Sequence, residues 1–206
     1  MLETSDLMLY CTALVAAYLL PGPDMVLITH TTLERGRRAG LATAAGLASA
    51  RSLHVLASGL GLAALLQTHP LALDALRWLG AAYLLWLAWR ILPRSTPSTA
   101  TPVAAAPSQA PGAGRAYGRG LLTNLLNPKA FMFCGLLLPQ FVQPGGNLEM
   151  QYLILGALLV AWGCVFDLAY VLVAGLVAKQ GRSPSTGPRR VCAGFFVLTA
   201  LRLMQG

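Results

Sequence analysis

Two apolar stretches of this chain are each interrupted by a proline followed by a charged residue. The first interruption reads Leu20-Pro21-Gly22-Pro23-Asp24-Met25, and the second reads Leu126-Asn127-Pro128-Lys129-Ala130. A proline within a helix leaves backbone groups without partners, and a lipid bilayer cannot satisfy them. Such interruptions therefore have to face protein or a water-filled cavity. Matching interruptions in two halves of a membrane protein indicate the substrate site of a transporter.

The composition around these interruptions is that of a membrane protein. The 206 residues are 56% hydrophobic and 11% charged, whereas a soluble domain carries about 25% charged residues. The mean hydropathy is +0.62. Spans of about 20 residues are needed to cross a bilayer, and the chain offers six apolar stretches: 7–30, 39–66, 70–92, 119–142, 150–178 and 190–205.

The net charge of +8 does not predict a nucleic-acid partner, because the basic residues are scattered over short connections rather than gathered on one face. Most of them fall in the first, third and fifth connections: Arg35, Arg37, Arg38, Arg90, Arg94, Arg115, Arg119, Lys179, Arg182, Arg189 and Arg190. The positive-inside rule places these connections in the cytoplasm. Both termini are then predicted to lie outside.

Three spans in each half is an odd number, so two repeated halves would have opposite orientations in the membrane. This is the inverted-repeat plan of secondary transporters. We therefore predict an all-α membrane protein whose six helices form two inverted three-helix repeats, residues 1–92 and 118–206. The Pro/Ala/Ser/Thr-rich stretch between them, residues 93–117, is predicted to be a mobile cytoplasmic linker.

The second and third stretches differ in side-chain size. The second is dense in small residues, which let helices approach closely in a membrane and predict a central position. The third is bulky, with Trp78, Trp86 and Trp89. Part of it is predicted to face lipid or the partner subunit of a homodimer.

Four ionisable residues lie well inside apolar stretches: Asp24, Arg51, Lys129 and Asp167. Each costs at least about 2.5 kcal/mol at a helix centre, so each needs a partner or a wet cavity. At 1.5 Å per residue, all four lie roughly 9 to 18 Å from the cytoplasmic ends of their spans. The four side chains are therefore predicted to line one central site.

Each of the two charges at the interruptions has alternative roles. Asp24 begins the half-helix after Pro23, where its carboxylate either caps exposed N–H groups or binds a cation. Lys129 begins a half-helix too, but an ammonium is not a natural partner for the positive end of a helix. It is predicted to reach an anion, which is Asp24, Asp167 or a substrate carboxylate.

Further polar residues share helix faces with these charges. Arg51, His54 and Ser58 form a stripe at helical spacing on the second helix. His54, whose reference pKa is near 6.5, either relays protons or packs as a hydrogen-bonding residue. Asp167 shares a face with Tyr170, and Asn124 shares one with Asn127.

Nothing in the sequence predicts an enzyme or a cofactor. The chain has no nucleophile–base pattern, HExxH zinc site, GxSxG turn or glycine-rich phosphate loop. The four cysteines show no metal-ligand spacing. We therefore expect no catalytic residues, no metal site and no cofactor.

Several segments, in this combination and order, resemble the LysE/RhtB family of bacterial amino-acid exporters. They are Pro21-Gly22-Pro23-Asp24, Gly46 through His54-Val55 leading to Gly59-Leu60-Gly61-Leu62, Leu79 through Leu87, Asn124 through Lys129, and Pro139-Gln140-Phe141. The resemblance covers nearly the whole chain. It implies a multi-pass protein of the bacterial inner membrane that exports amino acids or their derivatives, driven by the proton gradient.

The chain departs from the family pattern at the inferred site. It has Ala50 and Arg51 where members often have a glycine and an apolar residue, and Gly163 where many have an acidic residue one turn before Asp167. Arg51 therefore either pairs with Asp167 or contacts a substrate carboxylate alone.

These observations predict a transporter that alternately exposes a central site for a zwitterionic amino acid. The expected substrate-binding residues are Pro21, Gly22, Pro23, Asp24, Asn124, Asn127, Pro128 and Lys129. The residues expected to couple protons or pair charges are Asp24, Arg51, His54 and Asp167. The alternatives are an exporter of another small solute or cation, and a membrane assembly partner that transports nothing.

Overall fold

The computed structural model describes residues 3–61, 70–92, 112–143, 146–179 and 186–204. Within these ranges the chain is helical and contains no strand, which confirms the all-α class. The elements are α1 (Thr4–Leu19), α2 (Pro23–Arg35), α3 (Arg37–Gly59), α4 (Pro70–Ile91), α5 (Ala113–Leu125), α6 (Pro128–Met132), a π-helical turn (Phe133–Leu137), α7 (Leu138–Gln140), α8 (Leu148–Lys179) and α9 (Thr186–Met204).

The predicted linker, residues 93–117, ends earlier than the sequence suggested, because its last residues are helical. Residues 93–111 lie outside the described residues, but α5 begins at Ala113, so residues 113–117 are helical. Alanine and arginine favour helix, and Ala113, Arg115 and Ala116 extend α5 toward Gly112. The arrangement of the helices as two inverted repeats stays a prediction.

The first interruption separates α1 from α2. Leu20 and Gly22 are extended, and α2 begins at Pro23, where the missing N–H of proline costs nothing because the first N–H groups of a helix have no intrahelical partners. The two helix axes are bent by 56°. The break thus turns the start of α2, with Asp24 in its first turn, toward the interior.

The second interruption separates α5 from α6. The side chain of Asn127 caps the new helix, because its Oδ1 accepts a hydrogen bond from the backbone N–H of Lys129 at 3.1 Å. The segments Ala113–Leu125 and Lys129–Gln140 are bent by 65°. A widened turn follows at Phe133–Leu137. It includes Gly135, whose carbonyl would clash with the ring of Pro139 in a regular α-helix.

Small residues bring α3 into close contact with α5, as the composition of the second stretch predicts. A Cβ atom added to Gly46 would collide with the backbone carbonyl of Tyr117, and one added to Gly120 would collide with that of Thr43. Helix α3 also packs against α2 and α8. This central position directs its polar stripe toward both interruptions.

Two apolar clusters lie on either side of this centre. One joins α4 and α9 to Leu27 of α2, with Leu87 and Phe196 among its fully buried side chains. The other joins α1 and α8 to the π-helical turn through Tyr10, Leu155 and Cys134. Each cluster therefore connects one side of an interruption to a long helix.

The outer surface is apolar, as a lipid environment requires. Helix α8 leaves Leu153, Val165 and Val173 largely exposed. By length and composition, α8 can cross a membrane as one helix over Leu148–Ala178. Two further spans are counted if α1 with α2, and α5 with the helix after its break, each act as one bent span. By this criterion the described helices therefore give one span, or up to three if each bent pair is one span, and the predicted total of six stays a prediction.

Candidate functional site

A cavity of about 80 Å³ lies between the two interruptions, enough room for a small solute, since one water needs roughly 10–15 Å³. Seven of the predicted site residues line it: Gly22, Asp24, Arg51, Asn124, Asn127, Lys129 and Asp167. Pro21 is exposed and Pro23 is buried, and neither lines the cavity. Pro128 begins α6. The two breaks thus contribute to one site from opposite sides.

Arg51 and Asp167 form a bidentate ion pair in the wall of this cavity. Arg51 Nη1 donates to Asp167 Oδ2 at 2.6 Å, and Nη2 donates to Oδ1 at 3.1 Å. Both residues are 3% exposed. Two parallel charge-assisted hydrogen bonds fix the guanidinium in one plane and offset its burial. Of the two roles left open by the sequence, the geometry matches the pair.

The same guanidinium also faces Asp24. Arg51 Nη2 lies 3.8 Å from Asp24 Oδ2, at the outer edge of an ion pair. One cation thus stands between two carboxylates, and Asp24 is the more accessible of the two, with its side chain 20% exposed against 5% for that of Asp167. Arg51 is therefore engaged by Asp167 and stabilises a negative charge on Asp24.

Gly163 provides the room that Arg51 occupies. A Cβ atom at this position would lie 2.7 Å from Arg51 Nη1 and 2.8 Å from the hydroxyl of Tyr18. The guanidinium also lies over the ring of Tyr18, with its Cζ 5.4 Å from the ring centroid, which adds a cation–π attraction. The arginine at position 51 and the glycine at position 163 are therefore sterically matched.

Asp24 is held by a side chain of α5 rather than by its own helix. Its Oδ2 accepts a hydrogen bond from Asn124 Nδ2 at 2.5 Å, and no side chain caps α2. Two acceptor atoms beside this bond, Asp24 Oδ1 and Asn124 Oδ1, are buried without a hydrogen-bond partner among the described residues. A buried acceptor without a donor is costly. Asp24 Oδ1 and Asn124 Oδ1 could therefore each accept from a further donor.

Lys129 lies at the cavity wall on the other side and is exposed. Its backbone is fixed by the cap from Asn127. Within the described ranges, neither Asp24 nor Asp167 forms an ion pair with its ammonium. The alternative in which Lys129 forms a permanent pair with one of these carboxylates is thus not what the structure contains.

The polar stripe of α3 bonds to three elements of the second half. Arg51 contacts Asp167 on α8, and Ser58 Oγ donates to the carbonyl of Cys134 in the π-helical turn at 2.8 Å. His54 Nε2 lies 3.1 Å from the carbonyl of Asn124. Because a carbonyl can only accept, Nε2 carries the hydrogen. His54 is 5% exposed, does not line the cavity and sits directly behind Asn124.

Aromatic side chains complete the cavity wall, and the sequence singled out only one of them, Tyr170. Tyr18 donates from its hydroxyl to the carbonyl of Leu159 at 2.9 Å, and Tyr170 donates to the carbonyl of Tyr18 at 3.3 Å. Phe133 and Phe166 line the cavity beside them. Only Tyr170 carried a signal, through its spacing from Asp167. Tyr18 stands one helical turn before the first break, and that position is the one cue to it.

Comparison with known proteins gives consistent results. The family described as LysE type translocator matches residues 15–206. A homoserine/homoserine lactone efflux protein of Salmonella typhimurium is 32% identical over 167 residues, which cover 80% of this chain and 78% of that protein. The protein of the same name from Salmonella typhi is 31% identical over 167 residues, which also cover 80% of this chain and 78% of that protein.

An uncharacterized membrane protein of Vibrio cholerae is 32% identical over 176 residues, 85% of this chain and 84% of its own length. No solved structure matches the fold significantly.

Proposed function

This chain belongs to the LysE family of translocators, and from that membership we propose that it exports a zwitterionic amino acid or amino-acid derivative by proton antiport. As a translocator it is a membrane-integral transporter of a small molecule and not an enzyme. The finer proposal concerns the substrate and the coupling. It rests on how charges and unpartnered atoms are distributed between the two interruptions.

One observation carries the substrate class. Asp24 Oδ1 and Asn124 Oδ1 are neighbouring acceptors without donors, and they lie at a carboxylate that already carries a negative charge. An ammonium group supplies three donors and one positive charge. A substrate ammonium therefore fits the first interruption better than a neutral or anionic group does.

The second interruption supplies the complementary charge. The exposed ammonium of Lys129 lines the same cavity and is not paired with Asp24 or Asp167. A substrate carboxylate can therefore bind there while its ammonium binds Asp24. In this proposal Arg51 does not bind the substrate, because both of its terminal nitrogens donate to Asp167. It acts as a positioning residue for Asp24.

The coupling follows from the same carboxylate. We place the exchangeable proton on Asp24, which is accessible from the cavity, rather than on Asp167, which Arg51 holds. Asp24 would bind the substrate ammonium when ionised and release it on taking up a proton. One site then carries substrate in one direction and a proton in the other. His54 supports Asn124 through its backbone carbonyl.

The proposed arrangement in the membrane is that predicted from the sequence: two inverted three-helix repeats in a bacterial inner membrane, with both termini outside. A cysteine at Ser98, in a variant without the four native cysteines, should resist an impermeant thiol reagent added outside intact cells. A cysteine at Asn147, in a connection predicted to lie outside, is the control and should react. The opposite labelling pattern would reverse the orientation.

The decisive assay is efflux of labelled amino acids from preloaded proteoliposomes under an imposed pH gradient. The panel includes homoserine and homoserine lactone, which the Salmonella relatives are named for. Homoserine should be transported better than the lactone, because the lactone keeps the ammonium but lacks a free carboxylate for Lys129. Transport of simple amines or inorganic cations in preference to every amino acid would favour a cation exporter instead.

A further inference from the structure

A second polar cavity lies near the ends of α2 and α4, remote from the central site. Three arginines from three helices line it: Arg35 of α2, Arg90 of α4 and Arg119 of α5. Thr31 and His30 complete its polar wall. The cavity measures about 70 Å³, several times the roughly 10–15 Å³ that one water needs. None of its lining residues belongs to the central site.

The three guanidiniums repel one another. The charge of Arg90 acts on Arg35, and the charges of both act on Arg119. Glu34 is the carboxylate that acts on Arg35, so it offsets one of the three positive charges. Arg35 Nη1 is buried without a hydrogen-bond partner among the described residues. The residues that line the cavity thus include three guanidiniums and no carboxylate.

The arginines are held in place despite this repulsion. The Cζ of Arg90 lies 5.3 Å from the centroid of the Trp86 ring. The hydroxyl of Tyr83 donates to the backbone carbonyl of Arg119 at 3.3 Å and accepts from Thr123 at 3.2 Å. Side chains of α4 therefore hold the guanidinium of Arg90 and the backbone of α5 at Arg119. Several guanidiniums that line one cavity suit an anion that offers several oxygens.

We propose that this cavity, formed by Arg35, Arg90 and Arg119, binds a phosphate group. A phosphate offers oxygens in several directions and can bridge three guanidiniums, whereas a single carboxylate is planar and occupies at most one or two of them. The site lies where the sequence predicts the cytoplasmic side, and the exposed Trp86 and Trp89 beside it are typical of the headgroup region. The phosphate therefore comes from an anionic phospholipid or from a soluble phosphate compound.

The test measures thermal unfolding of the full-length protein in a neutral detergent. Inorganic phosphate is compared with chloride at equal ionic strength, and micelles containing phosphatidylglycerol are compared with micelles containing phosphatidylcholine. The variants are Arg90→Gln and Arg119→Gln. Arg38→Gln is the matched control, because Arg38 is exposed in the same predicted cytoplasmic region, carries the same charge and does not line the cavity.

At least one phosphate source should raise the unfolding temperature of the wild type and of Arg38→Gln. Arg90→Gln and Arg119→Gln should bind that source about 10- to 100-fold more weakly, which corresponds to one lost charge-assisted hydrogen bond. Without phosphate these two variants should be at least as stable as Arg38→Gln, because the repulsion is relieved. A response to phosphatidylglycerol alone assigns a lipid, and a response to inorganic phosphate assigns a soluble compound.

Three results would overturn the proposal. Equal shifts in all four proteins would indicate a diffuse ionic effect, and the absence of a shift with either source would exclude a phosphate site. Lower stability of Arg119→Gln than of Arg38→Gln without phosphate would show that the charge of Arg119 is already balanced by groups of the protein itself. This phosphate site does not depend on which substrate the protein transports, so each of the two proposals can fail without the other.

Discussion

Both interruptions consist of a proline followed by a charged residue, but the two charges are opposite. At the first, Asp24 is drawn across the cavity to Asn124 and lies near Arg51, and no side chain caps its helix. At the second, Asn127 caps the helix, and Lys129 stays outside the ion pair of Arg51 and Asp167. The first break is thus fixed by a polar network, and the second is fixed locally. The difference leaves one anchored carboxylate and one available ammonium facing a single cavity.

The largest effect is expected from substitutions in the Arg51–Asp167 pair, which lies beside the first break. Arg51→Leu or Asp167→Leu alone leaves a buried charge without its partner and should cost roughly 3–5 kcal/mol of stability. The double variant should recover much of that loss, because both charges are then removed. Thermal unfolding and membrane abundance of the four proteins form the double-mutant cycle. Additive losses in the double variant would remove the pairing and return Arg51 to the role of a substrate contact.

The next largest effect is expected at Asp24 itself. Asp24→Asn keeps the shape of the side chain and a carbonyl for Asn124 Nδ2, but it removes the charge that the proposal assigns to the substrate ammonium. Transport should fall about 10- to 100-fold, the loss of one hydrogen bond to a charged group, while abundance stays near that of the wild type. Asp6→Asn removes the same charge from α1 outside the cavity. It should transport normally, and equal losses in both variants would argue against a specific role for Asp24.

A smaller effect is expected at Lys129, because its ammonium is exposed and water competes for the substrate carboxylate. Lys129→Gln should reduce transport about tenfold, at the low end for a charge-assisted hydrogen bond. The reduction should appear mainly as a raised KM, which distinguishes binding from proton coupling. Arg38→Gln serves as the charge-matched control. Unchanged kinetics in Lys129→Gln would leave the second break as a purely structural feature.

The smallest effect concerns the cap of the second break. Asn127→Ala removes the hydrogen bond to the N–H of Lys129 and should cost about 1 kcal/mol of stability. Asn147→Ala is the matched control, because it also removes a helix cap. Asn147 Oδ1 accepts from the N–H of Met150 at 3.0 Å at the start of α8. Both variants should lose similar stability. Only Asn127→Ala should also slow transport, and equal transport in the two would separate the cap from the site.

The sequence predicted the elements of this site better than their orientation. Prolines beside charges and polar residues at helical spacing identified Asp24, Arg51, Lys129 and Asp167, because such residues are costly in an apolar span wherever they face. Which of them meet depends on helix rotation and on contacts distant in sequence. The pairing of Arg51 with Asp167 depends on the space at Gly163.

Other features carried too weak a signal for the sequence to reveal them. Tyr18 is one aromatic residue among many apolar ones, and the π-helical turn depends on the local effect of Pro139. The cluster of Arg35, Arg90 and Arg119 is assembled from the first and third connections, where the charges were explained by topology alone. A positive-inside count records how many arginines lie on a side, and it does not record that three of them share one cavity.

In the proposed mechanism the two breaks bind opposite ends of one substrate. The most direct measurement is competition against the transported amino acid by its decarboxylated amine and by its deaminated acid, in proteoliposomes of the wild type, Asp24→Asn and Lys129→Gln. Lys129→Gln should lose the preference for the amino acid over the amine and keep the preference for the amino acid over the acid. Asp24→Asn should show the reverse pattern in its residual transport. If both variants lose both preferences to the same extent, or neither, the division of the substrate between the two breaks is contradicted.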